Sequence, residues 1–186
     1  MNSVIYTQYK QTVVPALKEE LGLKNIHQVP AIKKVVINVG YGRKTKDKAY
    51  IDTVEETLTA ISGQKPLHNK AKKSISNFKI REGMDIGMSV TLRGQKMYNF
   101  LYKLIHLTLP RVRDFRGISV KGFDKQGSYS MGMKESTSFP EVRIDNNDKI
   151  HSLQIIINTS ATTKEEGIAL LSKMGFPFHD MKSKKK

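Results

Sequence analysis

The chain has 186 residues, with 32 Lys plus Arg against 17 Asp plus Glu and a formal net charge of +15. Self-repulsion at that charge disfavours an isolated compact state and is relieved by a polyanion, whether RNA, DNA or an anionic membrane, with a merely soluble basic protein as the alternative. The absence of cysteine excludes disulfides, thiolate zinc sites and cysteine nucleophiles, and no run of about 18 apolar residues is present to span a membrane.

The opening residues MNSVIYTQYK lack both the basic start and apolar stretch of a signal peptide and an Arg-rich transit pattern, so the protein is expected to act where it is made. A first helix is predicted by Val13, Leu17 and Leu21, four residues apart, with Gly22 as its stop. Pro15 either starts a second helical piece or kinks the first. Lys33 to Gly40 alternates as a strand, with Val35, Ile37 and Val39 on one side and Lys34, Val36 and Asn38 on the other. A second helix spans about Asp47 to Ile61, with Asp47 placed early, where the helix dipole favours a carboxylate. Ile86 to Arg93 is a second strand, Met88, Val90 and Leu92 opposing Ser89, Thr91 and Arg93.

The third helix is marked by Met97, Leu101, Leu104, Ile105 and Thr108 and is expected to close at Pro110. Ser119 to Ser138, rich in Gly, Ser and Lys without a sustained period, reads as flexible. His151 to Thr159 carries a nearly continuous apolar run and reads as a central strand. The fourth helix covers about Thr163 to Met174 and ends at Gly175. The expectation is one domain over residues 1–180, followed by a basic solvated tail, Met181 to Lys186. Strands interleaved with helices predict an α+β fold, a mostly antiparallel sheet with helices on one face and the other face free.

That free face would present Lys34, Asn38, Ser89, Thr91, Arg93, Gln154 and Asn158, hydrogen-bonding or cationic groups with no carboxylate among them. Such a face suits phosphate, ribose and base edges, while an ordinary solvated sheet face is the plain alternative. No aromatic belongs to the set, so a base-stacking platform is missing and folded RNA is the expected target.

From Lys65 to Arg81 there are six cations (Lys65, Lys70, Lys72, Lys73, Lys79, Arg81) and no acid. Ser74, Ser76, Asn69, Asn77 and Phe78 lie among them. Cations release counterions, hydroxyls and amides fix phosphate oxygens, and Phe78 is placed to stack or anchor the loop; a solvated face is the alternative. Arg111, Arg113 and Arg116 form a second cluster suited to bidentate partners, although Asp114 between them allows an internal salt-bridge network instead. The acids gather at Asp47 to Glu56 and at Glu135 to Asp148, the latter a candidate contact for a basic protein.

Signals for an enzyme are weak. Gly40-Tyr41-Gly42 follows a strand, but Thr45 stands where a dinucleotide-binding turn needs its third glycine. Gly87-Met88-Ser89-Val90-Thr91 fails as a nucleophile elbow at its last position. His27, His68, His106, His151 and His179 lack metal-ligand spacing. No catalytic residue, metal or cofactor is therefore expected, with a site assembled from distant residues left open. A peripheral membrane binder would need a cationic amphipathic helix, and the third helix has too few cations.

A series of short motifs runs through the chain in fixed order: Ile61-Ser62-Gly63-Gln64-Lys65-Pro66, Lys70-Ala71-Lys72-Lys73-Ser74, Phe78-Lys79-Ile80-Arg81, Val90-Thr91-Leu92-Arg93-Gly94 and Pro110-Arg111-Val112-Arg113-Asp114-Phe115-Arg116-Gly117. Tyr129-Ser130-Met131-Gly132, Phe139-Pro140-Glu141, Glu165-Glu166-Gly167 and Phe176-Pro177-Phe178 complete it. Together, from about Tyr9 to Phe178, they resemble the bacterial-type family of the fifth protein of the large ribosomal subunit.

The resemblance implies an RNA-recognition-like α+β fold that binds 5S ribosomal RNA in the central protuberance, beside other large-subunit RNA and proteins. Asn38, Gln64 and Thr91 match the family's RNA-holding positions, and the expected 5S set is Lys34, Asn38, Gln64, Lys65, Ser89, Thr91 and Arg93. The loop after the second helix would reach the transfer RNA of the peptidyl site through Lys70, Lys72, Lys73, Ser74, Ser76, Asn77, Phe78, Lys79 and Arg81. A bridge to the thirteenth protein of the small subunit would use Arg111, Arg113, Arg116 and Glu141. The implied location is the ribosome, of the cytoplasm or of an organelle, and no membrane. Three departures stand out: the tail from Met181 to Lys186, the polar Ser136-Thr137-Ser138 and the added cation in Val142-Arg143-Ile144. The last two bear on the small-subunit contact rather than on the RNA contact.

Overall fold

The computed structural model describes residues 4–42, 44–45, 47–142 and 150–179. They form an α+β fold of four helices and a five-stranded antiparallel sheet. Helix α1 is built from Val4–Gln8, a π-helical stretch Tyr9–Val13 and Val14–Glu20. Strand β1 is Ile32–Gly40, helix α2 is Lys48–Ser62, β2 is Leu67–Lys70 and β3 is Asp85–Leu92. Helix α3 joins Gly94–Lys103, a π-helical stretch Leu104–Thr108 and Leu109–Arg111. Strands β4, Tyr129–Met133, and β5, Leu153–Thr159, precede helix α4, Lys164–Lys173. The sheet order is β2-β3-β1-β5-β4, so β1 is the middle strand and β5 an interior one.

Both π-helical stretches end just ahead of a proline. The Val14 N–H bonds back to the Tyr9 carbonyl before Pro15, and the Leu109 N–H to the Leu104 carbonyl before Pro110. Proline lacks an N–H and crowds the carbonyl four residues back. A five-residue step widens the helix there, and the chain stays helical through the proline. Helix α3 thus passes Pro110 and stops at Arg111, not at the proline itself.

The chain divides into two compact units. Unit 1 takes the described residues up to Val35, Leu92–Met131 and those from Ile156 onward; unit 2 takes Val36–Thr91 and the described part of Gly132–Ile155. In unit 1, Tyr6 of α1 lies against Tyr98 of α3 with ring centroids 5.0 Å apart, and the Tyr9 hydroxyl donates to the Pro30 carbonyl at 3.1 Å. Thr163 caps α4 by accepting from the Glu166 N–H, while Glu166 accepts from the Thr162 N–H at 2.8 Å.

Ser119 to Ser138 is not a flexible stretch. A 3-10 turn Val120–Gly122, strand β4 and a second 3-10 turn Ser136–Ser138 occupy it. In unit 1 its anchor is aromatic: Phe123, Tyr129 and Phe178 pack with centroids 4.6 to 5.6 Å apart, and the Tyr129 hydroxyl donates to the Ser119 carbonyl at 2.9 Å.

In unit 2, Asp47 caps α2 by accepting from the Tyr50 N–H at 3.1 Å. Val54, Leu58 and Ile61 of that helix are buried. It ends on Gly63, whose φ of 65° is the left-handed conformation that favours glycine, and the Gly63 N–H returns to the Thr59 carbonyl.

Candidate nucleic-acid interface

The strands alternate in burial as their sequences predict. Val35, Ile37 and Val39 of β1, Met88, Val90 and Leu92 of β3, and Leu153, Ile155 and Ile157 of β5 point into the core. Lys34 and Asn38, Ser89 and Thr91, and Gln154 and Asn158 take the opposite face, half-buried or exposed. Arg93 is exposed at the end of β3, where α3 begins.

Unit 2 holds most of the expected 5S set: Asn38, Gln64, Lys65, Ser89 and Thr91; Lys34 and Arg93 belong to unit 1. Gly87 lets β3 lie flush on β1, since a Cβ there would stand 2.8 Å from the Val39 carbonyl oxygen. Gln64 follows the glycine that ends α2, and its backbone is held by Ser62, whose hydroxyl oxygen accepts from the Gln64 N–H at 3.1 Å. Among the described residues the side chains of Asn38, Gln64 and Thr91 make no hydrogen bond, so their polar groups remain available. Lys65 is partly engaged, its ammonium 3.7 Å from Glu55 on the surface, a pairing worth at most about 1 kcal/mol.

One further side chain joins this face, although its sequence neighbours place it in the basic stretch. Asn69 lies on β2 opposite Gly87 of β3, and its carbonyl oxygen accepts from the Ser89 hydroxyl at 3.2 Å. With that oxygen engaged, the Asn69 NH₂ keeps two donors for a ligand. Asp85 stands at the other end of β3, opposite Lys70, so the acid in this strand is removed from Ser89 and Thr91.

The basic stretch is a folded extension of the β2–β3 hairpin, not an open loop. The Ala71 N–H bonds to the Met84 carbonyl at 2.8 Å and the Gly83 N–H to the Ala71 carbonyl at 3.0 Å. The Ser74 hydroxyl accepts from the Glu82 N–H, and Ile75 and Ile80 exchange both backbone bonds at 2.9 and 3.2 Å. Residues Ser76–Phe78 turn as a 3-10 segment, and Lys79 closes the tip at a left-handed φ of 53°. Lys70, Lys72, Lys73, Ser74, Ser76, Asn77, Phe78, Lys79 and Arg81 are all exposed, Phe78 to 69%.

Arg111, Arg113 and Arg116 are exposed, and among the described residues none forms an ion pair with Asp114. The internal salt-bridge network with Asp114 is therefore absent among the described residues. Glu141 is exposed too. Residues 143–148 of the Glu135 to Asp148 region, Arg143 and Ile144 among them, and the tail from Met181 lie outside the described residues. No helix among the described residues is long and apolar enough to cross a membrane.

Comparison with known proteins places these features in a family. Residues 25–81 match the family model described as Ribosomal protein L5, and residues 85–178 match the model for the C-terminus of the same ribosomal family. The chain is 52% identical over 177 residues to the protein named Large ribosomal subunit protein uL5 from Halothermothrix orenii, covering 95% of this chain and 99% of that one. It is 52% identical to the uL5 of Lactobacillus acidophilus, over 96% of this chain and 99% of the relative. It is 50% identical to the uL5c of Rhodomonas salina, over 97% and 99%. With both parts of the family pattern matched and half of all positions shared across nearly full lengths, this chain belongs to the ribosomal protein L5 family.

Proposed function

We propose that this chain, a non-enzymatic structural constituent of the large ribosomal subunit, binds 5S ribosomal RNA through the open face of its sheet, as one RNA-binding domain over residues 1–180. The observation that carries the reading is Asn38 and Thr91, joined by Asn69, on the free sheet face of unit 2, with Gln64 in the turn after α2, all keeping hydrogen-bonding capacity that nothing among the described residues uses. RNA is read by such groups at base edges and ribose hydroxyls, with cations such as Lys34, Lys65 and Arg93 supplying the phosphate attraction. Its location is the ribosome, in the cytoplasm or an organelle.

The basic hairpin extension is the surface for a second RNA, the transfer RNA of the peptidyl site, reached by Lys72, Lys73 and Lys79 among the exposed residues of the tip. Arg111, Arg113 and Arg116, with Glu141, serve the bridge to the thirteenth small-subunit protein; the three guanidiniums, exposed and without an ion pair among the described residues, support that use.

Sucrose-gradient fractionation tests the assignment. Tagged protein expressed in a bacterial cell is expected to sediment with large subunits and, after the subunits are partly dismantled, to leave together with 5S RNA. Sedimentation with small subunits, or release from the large subunit without 5S RNA, contradicts it.

A further inference from the structure

Beside the tip of the basic hairpin, unit 2 contains a cleft of about 850 Å³ whose far wall, Tyr41, Lys44 and Tyr50, none of the contacts above uses. Its size falls within the roughly 300–1,000 Å³ range of small-ligand clefts. One side comes from the turn after β1 and the start of α2, through Tyr41, Lys44 and Tyr50; the other comes from the hairpin tip, through Asn77, Phe78 and Lys79. We propose that this cleft holds one unstacked nucleotide of the RNA that the basic hairpin engages, with the base among the aromatic rings and the phosphate at the lysines. The inference rests on the RNA-binding reading of the hairpin and adds to it a defined single-nucleotide site.

The chemistry of the walls selects this occupant. Tyr41 and Tyr50 are 3% and 8% exposed, so their rings are fixed walls. The Tyr41 hydroxyl is tied to His68 Nδ1 at 3.4 Å, and the Lys44 ammonium lies 4.3 Å from the Tyr50 ring centroid. Phe78 is a large apolar ring left 69% exposed, an arrangement that stacking on a base relieves for any of the four bases. Asn77 forms no side-chain hydrogen bond among the described residues and so offers a donor and an acceptor to a base edge.

Charge orients the ligand. Among the described residues, those lining the cleft include two lysines and no acid. At the Tyr41 end, burial first and then the charges of Asp85 and Glu55 push the phenol above its ordinary value. An anion is disfavoured there and drawn to Lys44 and Lys79, which sends the base toward the rings. An acidic peptide would satisfy the lysines but would leave the exposed Phe78 and the Asn77 amide without a matching partner.

Ultraviolet cross-linking of ribosomes carrying the full chain tests the site, with mass spectrometry of the peptides and two arms, one with transfer RNA bound in the peptidyl site and one without. A nucleotide adduct on Tyr50 or Phe78 is expected, lost with the transfer RNA if that is the source and retained if ribosomal RNA is. Lys44→Gln, a change on the surface, is expected to lower the yield about tenfold. Nuclear magnetic resonance of the free chain supplies the second measurement: adenosine monophosphate should shift the Tyr50 and Phe78 ring signals, and inorganic phosphate or a polyglutamate peptide should not. Adducts elsewhere on the chain but none at Tyr50 or Phe78 would overturn the nucleotide site while leaving the ribosomal assignment in place. Equal ring shifts from phosphate or from the peptide would overturn it too. Absence of the chain from ribosomes would overturn both.

Discussion

Ser89 donates its hydroxyl hydrogen to the Asn69 carbonyl oxygen at 3.2 Å, across the antiparallel pair β2–β3 on the proposed RNA face. The bond does little for the fold, since both side chains are only half-buried. Its consequence is directional: it holds the Asn69 amide with its NH₂ available. Ser89→Ala and Asn69→Ala are each expected to weaken 5S RNA binding, by about 1 kcal/mol. The double variant should lose less than the sum, because the two act through one contact. Full additivity in a double-mutant cycle on RNA affinity would contradict the coupling.

Asn38, Gln64 and Thr91 have no side-chain hydrogen bond among the described residues to lose. Replacing any of them by Ala should therefore leave the urea unfolding midpoint nearly unchanged. RNA affinity should fall by about 1 kcal/mol or more for each, since a partner group on the RNA is left unpaired. A variant that loses stability and affinity in proportion would mark a folding residue instead.

Lys72 and Lys73 are exposed on the hairpin extension and form no ion pair among the described residues. Changing both to Gln should leave 5S binding within about twofold, while a filter assay of peptidyl-site transfer RNA on reconstituted ribosomes should register weaker retention. Loss of 5S binding in the double variant would merge the two surfaces that are separated here.

Burial pushes the phenols of Tyr98 and Tyr129 in unit 1 from 10.0 up to about 12, with Tyr9 and Tyr6 adding to the rise at Tyr98. The folded chain therefore keeps these protons at a pH where the unfolded chain releases them. The sign follows: their contribution is complete below pH 10 and is lost as pH rises toward 12. Urea midpoints measured at stepped pH should fall across that window. Tyr129→Phe should show a shallower fall, from a starting stability lower by about 1 kcal/mol for the lost bond to Ser119. An unchanged slope in that variant would remove Tyr129 from the alkaline transition.

The face that carries the proposed function was legible in sequence because β1, β3 and β5 each bury every second residue. Helix α2 was legible over about Asp47 to Ile61, with Asp47 marking its start. Strand β2 was not: it is four residues long, and its Leu67 points outward, 69% exposed, so apolar alternation gives no signal. That is why Asn69 reads as part of a charged loop. The Ile75–Ile80 pairing is equally hidden, since only backbone bonds reveal it. Strand β4 is short and interrupted by Gly132, and its placement depends on aromatic contacts from Phe123 and Phe178, the latter far along the chain. The start of α1 at Val4 lies ahead of the periodic leucines, where Tyr6 gains its partner Tyr98 only through tertiary packing.

Competition gel shift with the full chain addresses the central claim most directly, using labelled 5S RNA against unlabelled 5S RNA and against a random RNA duplex of equal length. The account predicts strong preference for 5S RNA. It also predicts log affinity falling against log salt with a slope of roughly −4 to −5, for about six engaged phosphates. Equal competition by the random duplex would contradict it, because charge alone, and not Asn38, Gln64 and Thr91, would then be choosing the RNA.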